Sequence, residues 1–430
     1  MTVAESHPQA PSRSRLGRLA AEHALAVGAL AAVGLHVADD AFLQPEPGTS
    51  AGDHVVAGLV PLALLAAAAF AYPRLRPGGR AVVALLAGYF GLLAGAEAVY
   101  YTLNGGPSGD DYTGWLSALA GLALLGVGAV TLWRSRRTDD SLRRRYLRRA
   151  LLVVAALVVA SQLLFQTAIA YVVTHTARAV VPSPVLGAAH EDVAFTTSDG
   201  LRLEGWLVPS RNGATVIVFP GRAGSQQQTR MLVRHGYGVL LFDRRGEGAS
   251  EGDPNLFGWH GERDLHGAVE FLRTRPDVDP ERIGGIGLSV GGEMLIHAAA
   301  QSDGFKAVVS EGASGQSARD SYANSGLLDA ITETGAVTLA TALFSNDLPP
   351  RSLKSDVPRI APAAVYFIYG EKGQGGSEEG PNQGFYAAAK QPKAIWEVPG
   401  GQHIAGIKTR PREYERRVVG FLDRALLGER

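Results

Sequence analysis

The chain has 430 residues, 41 Lys+Arg balanced by 41 Asp+Glu, and no cysteine. That length leaves room for two or three domains, and the balanced charge offers no basic excess for nucleic acid. The missing thiols exclude disulfides, a cysteine nucleophile and thiolate metal sites.

In chain order, residues 1–18 form a polar arm with Pro and Arg, expected to be disordered and cytoplasmic. Five apolar stretches follow, near 19–37, 55–72, 81–102, 114–133 and 150–173. Each approaches the ~20 residues that a helix needs to cross ~30 Å of hydrocarbon. The first stretch is too long, and has too many similar successors, to be a cleaved signal peptide. The connections alternate in charge. Arg13, Arg15 and Arg18 precede the first stretch, and Arg74, Arg76 and Arg80 lie in the second connection. The fourth connection carries eight arginines from Arg134 to Arg149. The first connection instead holds Asp39, Asp40, Glu46 and Asp53, and the third holds Asp110 and Asp111. By the positive-inside rule the N-terminus is cytoplasmic, and five spans leave the C-terminal part outside the plasma membrane. Glu97 falls near the outer end of its run, within reach of interfacial water. Gln162 and Gln166 are one turn apart and suit a helix–helix contact.

Residues 174–190, with Pro182, Pro184 and Gly187, read as a linker. From 191 to 430 the pattern changes to strand–helix alternation. A hairpin turns at Asp199-Gly200, and Ala214–Phe219 and Gly238–Phe242 are apolar strands with a helix between them. Arg282–Ile286 is another strand, then comes Gly287-Leu288-Ser289-Val290-Gly291, then a helix from Gly292. Strand, sharp turn and helix make the context of a G-x-S-x-G nucleophile elbow. There the Val290 N–H at the helix start would help bind an oxyanion. Phe305–Ser310, Ala363–Tyr369 and Ala394–Val398 add three strands, and Glu413–Leu427 is an amphipathic closing helix. The expected architecture is an α-helical membrane domain over 19–173 followed by an α/β domain. The latter should have a doubly wound, mostly parallel sheet.

Residues ~190–428 resemble the α/β-hydrolase superfamily, in particular its esterase and prolyl-oligopeptidase-like branches. Beside the elbow, the resemblance rests on Thr196–Trp206, similar to the opening hairpin of those branches. It rests also on Phe242-Asp243-Arg244-Arg245-Gly246-Glu247-Gly248-Ala249-Ser250, similar to their D-x-R-G-x-G-x-S turn. The resemblance implies Ser289 as nucleophile and a chain order of Ser, acid, His. His403, in Pro399-Gly400-Gly401-Gln402-His403, resembles the histidine of the P-G-x-x-H loop and becomes the base. His297 lies inside the helix after the elbow and should point away, while His260 and His266 suit a surface helix.

The acid stays open. Where relatives carry G-x-x-D, this chain reads Gly370-Glu371-Lys372-Gly373. The Gly-rich loop that follows offers Glu378 or Glu379, with Glu371 in reserve and Glu311, after the next-to-elbow strand, as another option. By resemblance the second oxyanion donor is the Arg222 N–H, in Pro220-Gly221-Arg222, and the Arg222 guanidinium could also meet an anionic substrate. Residues 316–356 form an insertion whose segment 325–344 is rich in Leu, Ile and Val, expected to cap the site. No phosphate-loop or zinc spacing occurs, and no metal or organic cofactor is expected. The expectation is a membrane-anchored serine hydrolase that cleaves a small-molecule or lipid-like acyl substrate. A peptidase or acyltransferase, or a non-catalytic sensor or scaffold, is the alternative.

Overall fold

The computed structural model describes residues 13–105, 111–135, 141–159, 164–315, 317, 319–320, 322 and 326–428. The chain separates into two compact units, Met1–Pro45 with Ala51–Ala156, and Glu46–Ser50 with Leu157–Arg430.

The first unit is helical: α1 (Arg13–Ala38), α2 (Val55–Ala71), α3 (Pro77–Ala94), α4 (Ala96–Gly105), α5 (Asp111–Arg134) and most of α6 (Leu142–Val159). Helix α1 begins inside the stretch expected to be disordered. Arg13, Arg15, Leu16 and Arg18 are good helix formers, and the helix of the apolar run downstream extends back through them. Among the described residues, four helical stretches are long and apolar enough to cross a membrane: Gly17–Leu43, Val55–Arg74, Pro77–Leu103 and Tyr112–Arg134. They coincide with the first four runs. The fifth run contains residues 160–163, Gln162 among them, which lie outside the described residues. On its two sides are α6, which opens on arginines, and the ten-residue apolar helix α7 (Phe165–Thr174).

Small residues bring α3 and α5 together. A Cβ on Gly88 would come within 2.9 Å of the Gly121 carbonyl oxygen, and one on Gly121 within 2.8 Å of that of Gly88. Close backbone approach through glycines is how apolar helices gain contact where no hydrophobic effect drives them together. Polar side chains pair between the helices of this unit: His36 Nε2 donates to the Ala94 carbonyl at 2.8 Å, and the Thr113 hydroxyl donates to Asp39 Oδ2 at 2.6 Å.

The second unit is built on an eight-stranded sheet in the order β1-β2-β4-β3-β5-β6-β7-β8. The strands are β1 (Glu191–Thr196), β2 (Arg202–Val208), β3 (Thr215–Phe219), β4 (Gly238–Phe242), β5 (Ile283–Leu288), β6 (Ala307–Glu311), β7 (Ala364–Gly370) and β8 (Lys393–Val398). The β1–β2 hairpin and the β2–β4 pair are antiparallel, and every other pairing is parallel. β3 to β7 are buried along their whole length, as parallel strands covered on both faces must be. Their side chains alternate between two cores. Ile217 and Phe219 face one core with Leu265 and Leu272 of α9 (Gly261–Thr274), Leu295 of α10 (Val290–Gln301) and Phe385. Val216 and Val218 face the other, with Met231 and Leu232 of α8 (Gln226–Arg234) and Val418 and Leu422 of a closing helix. Further helices are α11 (Ala336–Ser345) in the insertion, α12 (Glu379–Ala388) and the closing α13 (Pro411–Leu422).

Candidate active site

β5 runs straight into α10 through one residue. Ser289 has φ 53° and ψ −124°, backbone that a side-chain-bearing residue adopts only under strain. The surrounding glycines permit it. A Cβ on Gly287 would lie 2.3 Å from the Gly291 carbonyl oxygen, and one on Gly291 would lie 2.5 Å from Pro220 Cδ. Larger residues would push the helix off the strand and lower the serine from the tip. The turn is tied down by the Ser289 N–H, which donates to the Glu311 carbonyl at 2.7 Å.

Ser289 Oγ lies 2.8 Å from Nε2 of His403. His403 rides on the loop after β8, and its Nδ1 is hydrogen-bonded to Oε1 of Glu378. Glu378 is fully buried, and its other oxygen accepts the Gly370 N–H at 3.0 Å. An imidazole held by a carboxylate on Nδ1 presents its Nε2 to the hydroxyl, the arrangement by which a serine becomes a nucleophile. The space Glu378 fills is that of the missing aspartate: a Cβ on Gly373 would stand 2.2 Å from the Glu378 carboxyl carbon.

The other carboxylates stand elsewhere. Glu379 opens α12 and is exposed. Glu371 is exposed and accepts the Gly400 N–H at 2.6 Å. Glu311 is buried, with Oε1 accepting the Gly406 N–H and Oε2 accepting the Tyr414 hydroxyl, both at 2.8 Å. Burial raises the Glu311 carboxyl and holds the Tyr414 hydroxyl well above its usual range. His297 turns from the site to Asp356, 2.8 Å from its Nδ1.

Val290 is the first residue of α10, so its N–H has no acceptor within the helix and adjoins the serine. Arg222 is different. Its N–H donates to Asp243 Oδ1 at 2.7 Å and its Nε to Oδ2 at 2.7 Å, with the guanidinium over the Trp206 ring at 5.0 Å. The expected oxyanion donor is therefore committed to Asp243, and the guanidinium is buried rather than offered to an anionic substrate. The reason is the D-x-R-G-x-G turn, which brings the Asp243 carboxylate under the Pro220–Arg222 loop. There two donors from one residue satisfy a buried charge.

Two carboxylates that sequence reasoning left unused also shape the surroundings. Glu293, buried in the first turns of α10, accepts the N–H groups of Ser314 at 3.2 Å and Gly315 at 3.0 Å and so fixes the loop after β6. His260 Nε2 lies 3.1 Å from Asp347, just beyond the end of α11. Hydrogen bonding to Asp347, then Glu262, raises His260 to about 9. A carboxylate four residues after an elbow serine, and a His in a Gly-flanked turn, were the available signals.

Mostly parallel sheet, elbow at the carboxyl end of a central strand, and histidine after the last strand together define an α/β-hydrolase fold. It is a serine-hydrolase-type domain carried on an N-terminal helical region. More narrowly, residues 188–396 match the family described as X-Pro dipeptidyl-peptidase (S15 family). The uncharacterized protein YfhR of Escherichia coli (strain K12) is 29% identical over 249 residues, covering 55% of this chain and 81% of that protein. Polyketide transferase grgF of a Penicillium species is 38% identical over 117 residues, 25% of this chain and 40% of the relative. Among solved structures, an esterase of Pyrococcus furiosus aligns with TM-score 0.48 at 23% identity, over 59% of this chain and 98% of the esterase.

Proposed function

We propose that this protein is a membrane-anchored serine hydrolase that cleaves carboxylic esters through an acyl-enzyme on Ser289. The observation that carries the reading is the Ser289–His403–Glu378 line, with Oγ 2.8 Å from Nε2 and the far nitrogen on a buried carboxylate. Ser289 Oγ attacks the ester carbonyl carbon while its proton passes to His403 Nε2. Glu378 keeps Nδ1 protonated and stabilises the imidazolium. The Val290 N–H binds the oxygen that becomes negative. The tetrahedral intermediate expels the alcohol, which takes the proton from Nε2. Water then enters and attacks the acyl carbon as it gives a proton to the same nitrogen; the second tetrahedral intermediate expels Ser289 Oγ, which takes that proton back, and the acid is released.

The insertion supports a lipid-like acyl substrate, because its exposed Leu and Ile side chains are suited to aliphatic chains. The match to a family named for a peptidase favours a second reading, amide cleavage by the same residues. A fluorophosphonate probe should label the full chain and not its Ser289→Ala variant; an unlabelled, folded wild type would point to a scaffold. Run side by side, p-nitrophenyl esters of rising chain length should be turned over faster than aminoacyl nitroanilides. Each methylene buried should add about 0.8 kcal/mol until the pocket is full. A flat profile with faster anilide cleavage would promote the peptidase.

The outside placement of the hydrolase unit has support beyond the arginines. Glu46–Ser50, from the connection between the first two spans, packs within the hydrolase unit. Arg178 Nε donates to Glu46 at 3.1 Å, and the Gly252 N–H to the Pro47 carbonyl at 2.8 Å. Segments in contact share one side of a membrane. The chain between residues 54 and 174 must then cross an even number of times, so the 150–173 run joins α2, α3 and α5 as a fourth crossing in that interval.

A further inference from the structure

The insertion helix α11 has the sequence Ala-Val-Thr-Leu-Ala-Thr-Ala-Leu-Phe-Ser, without a charge, and only Thr341 in it is buried. A helix that covers a hydrolase core would bury one stripe and show polar residues on the other. Here Leu339 is 64% exposed, and Leu343, one turn on, shares its face. Leu327 and Ile331, in the turns before it, are exposed as well. The helix does not lie on the sheet. It packs along α7, with the Phe344 ring edge-on to Tyr171 at 5.3 Å. α7 in turn keeps Phe165 and Val172 exposed, and its Val173 carbonyl accepts the Leu256 N–H of the hydrolase at 2.9 Å.

Two uncharged helices therefore pair and leave apolar faces uncovered. One of the two is the end of the 150–173 run, read above as a membrane crossing. We propose that α11 and α7 lie together in the boundary layer of the lipid bilayer, as a second membrane contact belonging to the hydrolase unit itself. This rests on the membrane-anchored reading above and adds that the insertion, not only the spans, is lipid-covered. Apolar area of this size is left open in a folded chain where something else covers it. Chain continuity with α7 identifies that cover as lipid. The consequence for the site is that an acyl substrate reaches the insertion from the bilayer rather than from water.

The absence of cysteine makes the test direct. Leu339→Cys, Leu343→Cys and Val172→Cys are each labelled with an environment-sensitive dye. Leu64→Cys in α2 serves as the anchor control and Asp303→Cys as the aqueous control, and the full chain is reconstituted in phosphatidylcholine vesicles. Labels at 339 and 343 should be quenched by nitroxide lipids, more strongly when the nitroxide is near the headgroup than at the chain end. That follows from an interfacial helix burying its apolar face only ~5–10 Å deep. They should resist aqueous iodide, which quenches the label at 303. Open access to iodide at 339 and 343 overturns the proposal. So does shielding from both quenchers, which would mean a protein partner or second copy as the cover. If the label at 64 also escapes lipid quenching, the anchor reading itself has failed. If 64 is quenched and 339 is not, only the present inference falls.

Discussion

At the scale of single residues, the acid of the site depends on a side chain that is missing. Gly373 has no Cβ, and the Glu378 carboxylate occupies the place an aspartate would hold. Glu378→Gln should reduce kcat by up to about 10⁴-fold with KM little changed, whereas Glu379→Gln should leave both near the wild-type values. Introducing Gly373→Asp into a Glu378→Ala chain should recover at least about tenfold of the lost kcat, since an orienting acid is worth far more than that. A double variant no better than Glu378→Ala would break the equivalence of the two positions. The sequence singled out Ser289 and His403, which the fold brings within hydrogen-bond distance, because each sits in a short pattern with a fixed backbone shape. It narrowed the acid only to adjacent glutamates, because the choice between them depends on which one the start of α12 turns inward. It could not foresee that the Arg222 N–H donates to Asp243, because the direction of an amide in a loop is set by its acceptor, here 21 residues on. Glu311 invites a different measurement. Burial raises its carboxyl, so the folded state holds a proton that the unfolded chain has already released. Stability should therefore fall as pH rises from the ordinary glutamate range through the raised value. Glu311→Gln keeps an acceptor for Gly406 and should flatten that part of a plot of Tm against pH; an unchanged slope would assign the effect to another group.

At the scale of elements, the sheet and its helices were readable because parallel strands buried on both faces make short, unbroken apolar runs, and helices between them repeat at 3.6 residues. β3, β4, β5 and β7 each follow such a run to within a residue or two. The insertion was legible as apolar but not as to what it packs on, because α11 pairs with α7 from the far side of the linker, more than 160 residues away in sequence. Near its far end lies an ion pair, His260 with Asp347, between the residue capping α9 and the residues after α11. Glu262 and Arg263 are the other charged groups acting on this imidazole. An imidazole raised to about 9 contributes stability that is complete below its unfolded value near 6.5 and fades as pH climbs through 9. Protease cleavage within the insertion should accelerate over that interval, while cleavage elsewhere in the hydrolase unit should not. His260→Gln should cleave at the fast rate at every pH, at a stability cost of about 1 kcal/mol or less, as expected of a partly exposed pair. A pH-independent rate in the wild type would show that the insertion is secured by its apolar contacts alone.

At the scale of the whole molecule, the arginine distribution and the packing of Glu46–Ser50 both bear on which side of a membrane the hydrolase unit faces. The positive-inside rule, applied to the arginine distribution, predicts that the second and fourth connections are cytoplasmic. The packing of Glu46–Ser50 within the hydrolase unit concerns only the finished fold, and it joins the first connection to the C-terminal side. The two agree only if the 150–173 run crosses. Had it stayed on one face, three crossings would separate residue 54 from residue 174, and the contacts of Arg178 with Glu46 and of Gly252 with Pro47 could not form. The arrangement is testable with single cysteines in a chain that has none. Ser50→Cys and Asp303→Cys should react with a membrane-impermeant maleimide on intact cells, and Arg76→Cys should react only after the cells are opened. Labelling of 303 together with 76, and not with 50, would mean four crossings and a cytoplasmic hydrolase. The substrate would then have to come from the inner leaflet, and the contacts of Glu46–Ser50 would be wrong. Labelling of 50 with 303 fixes an odd number of spans. The nucleophile is then supplied from the outer leaflet or the space beyond it.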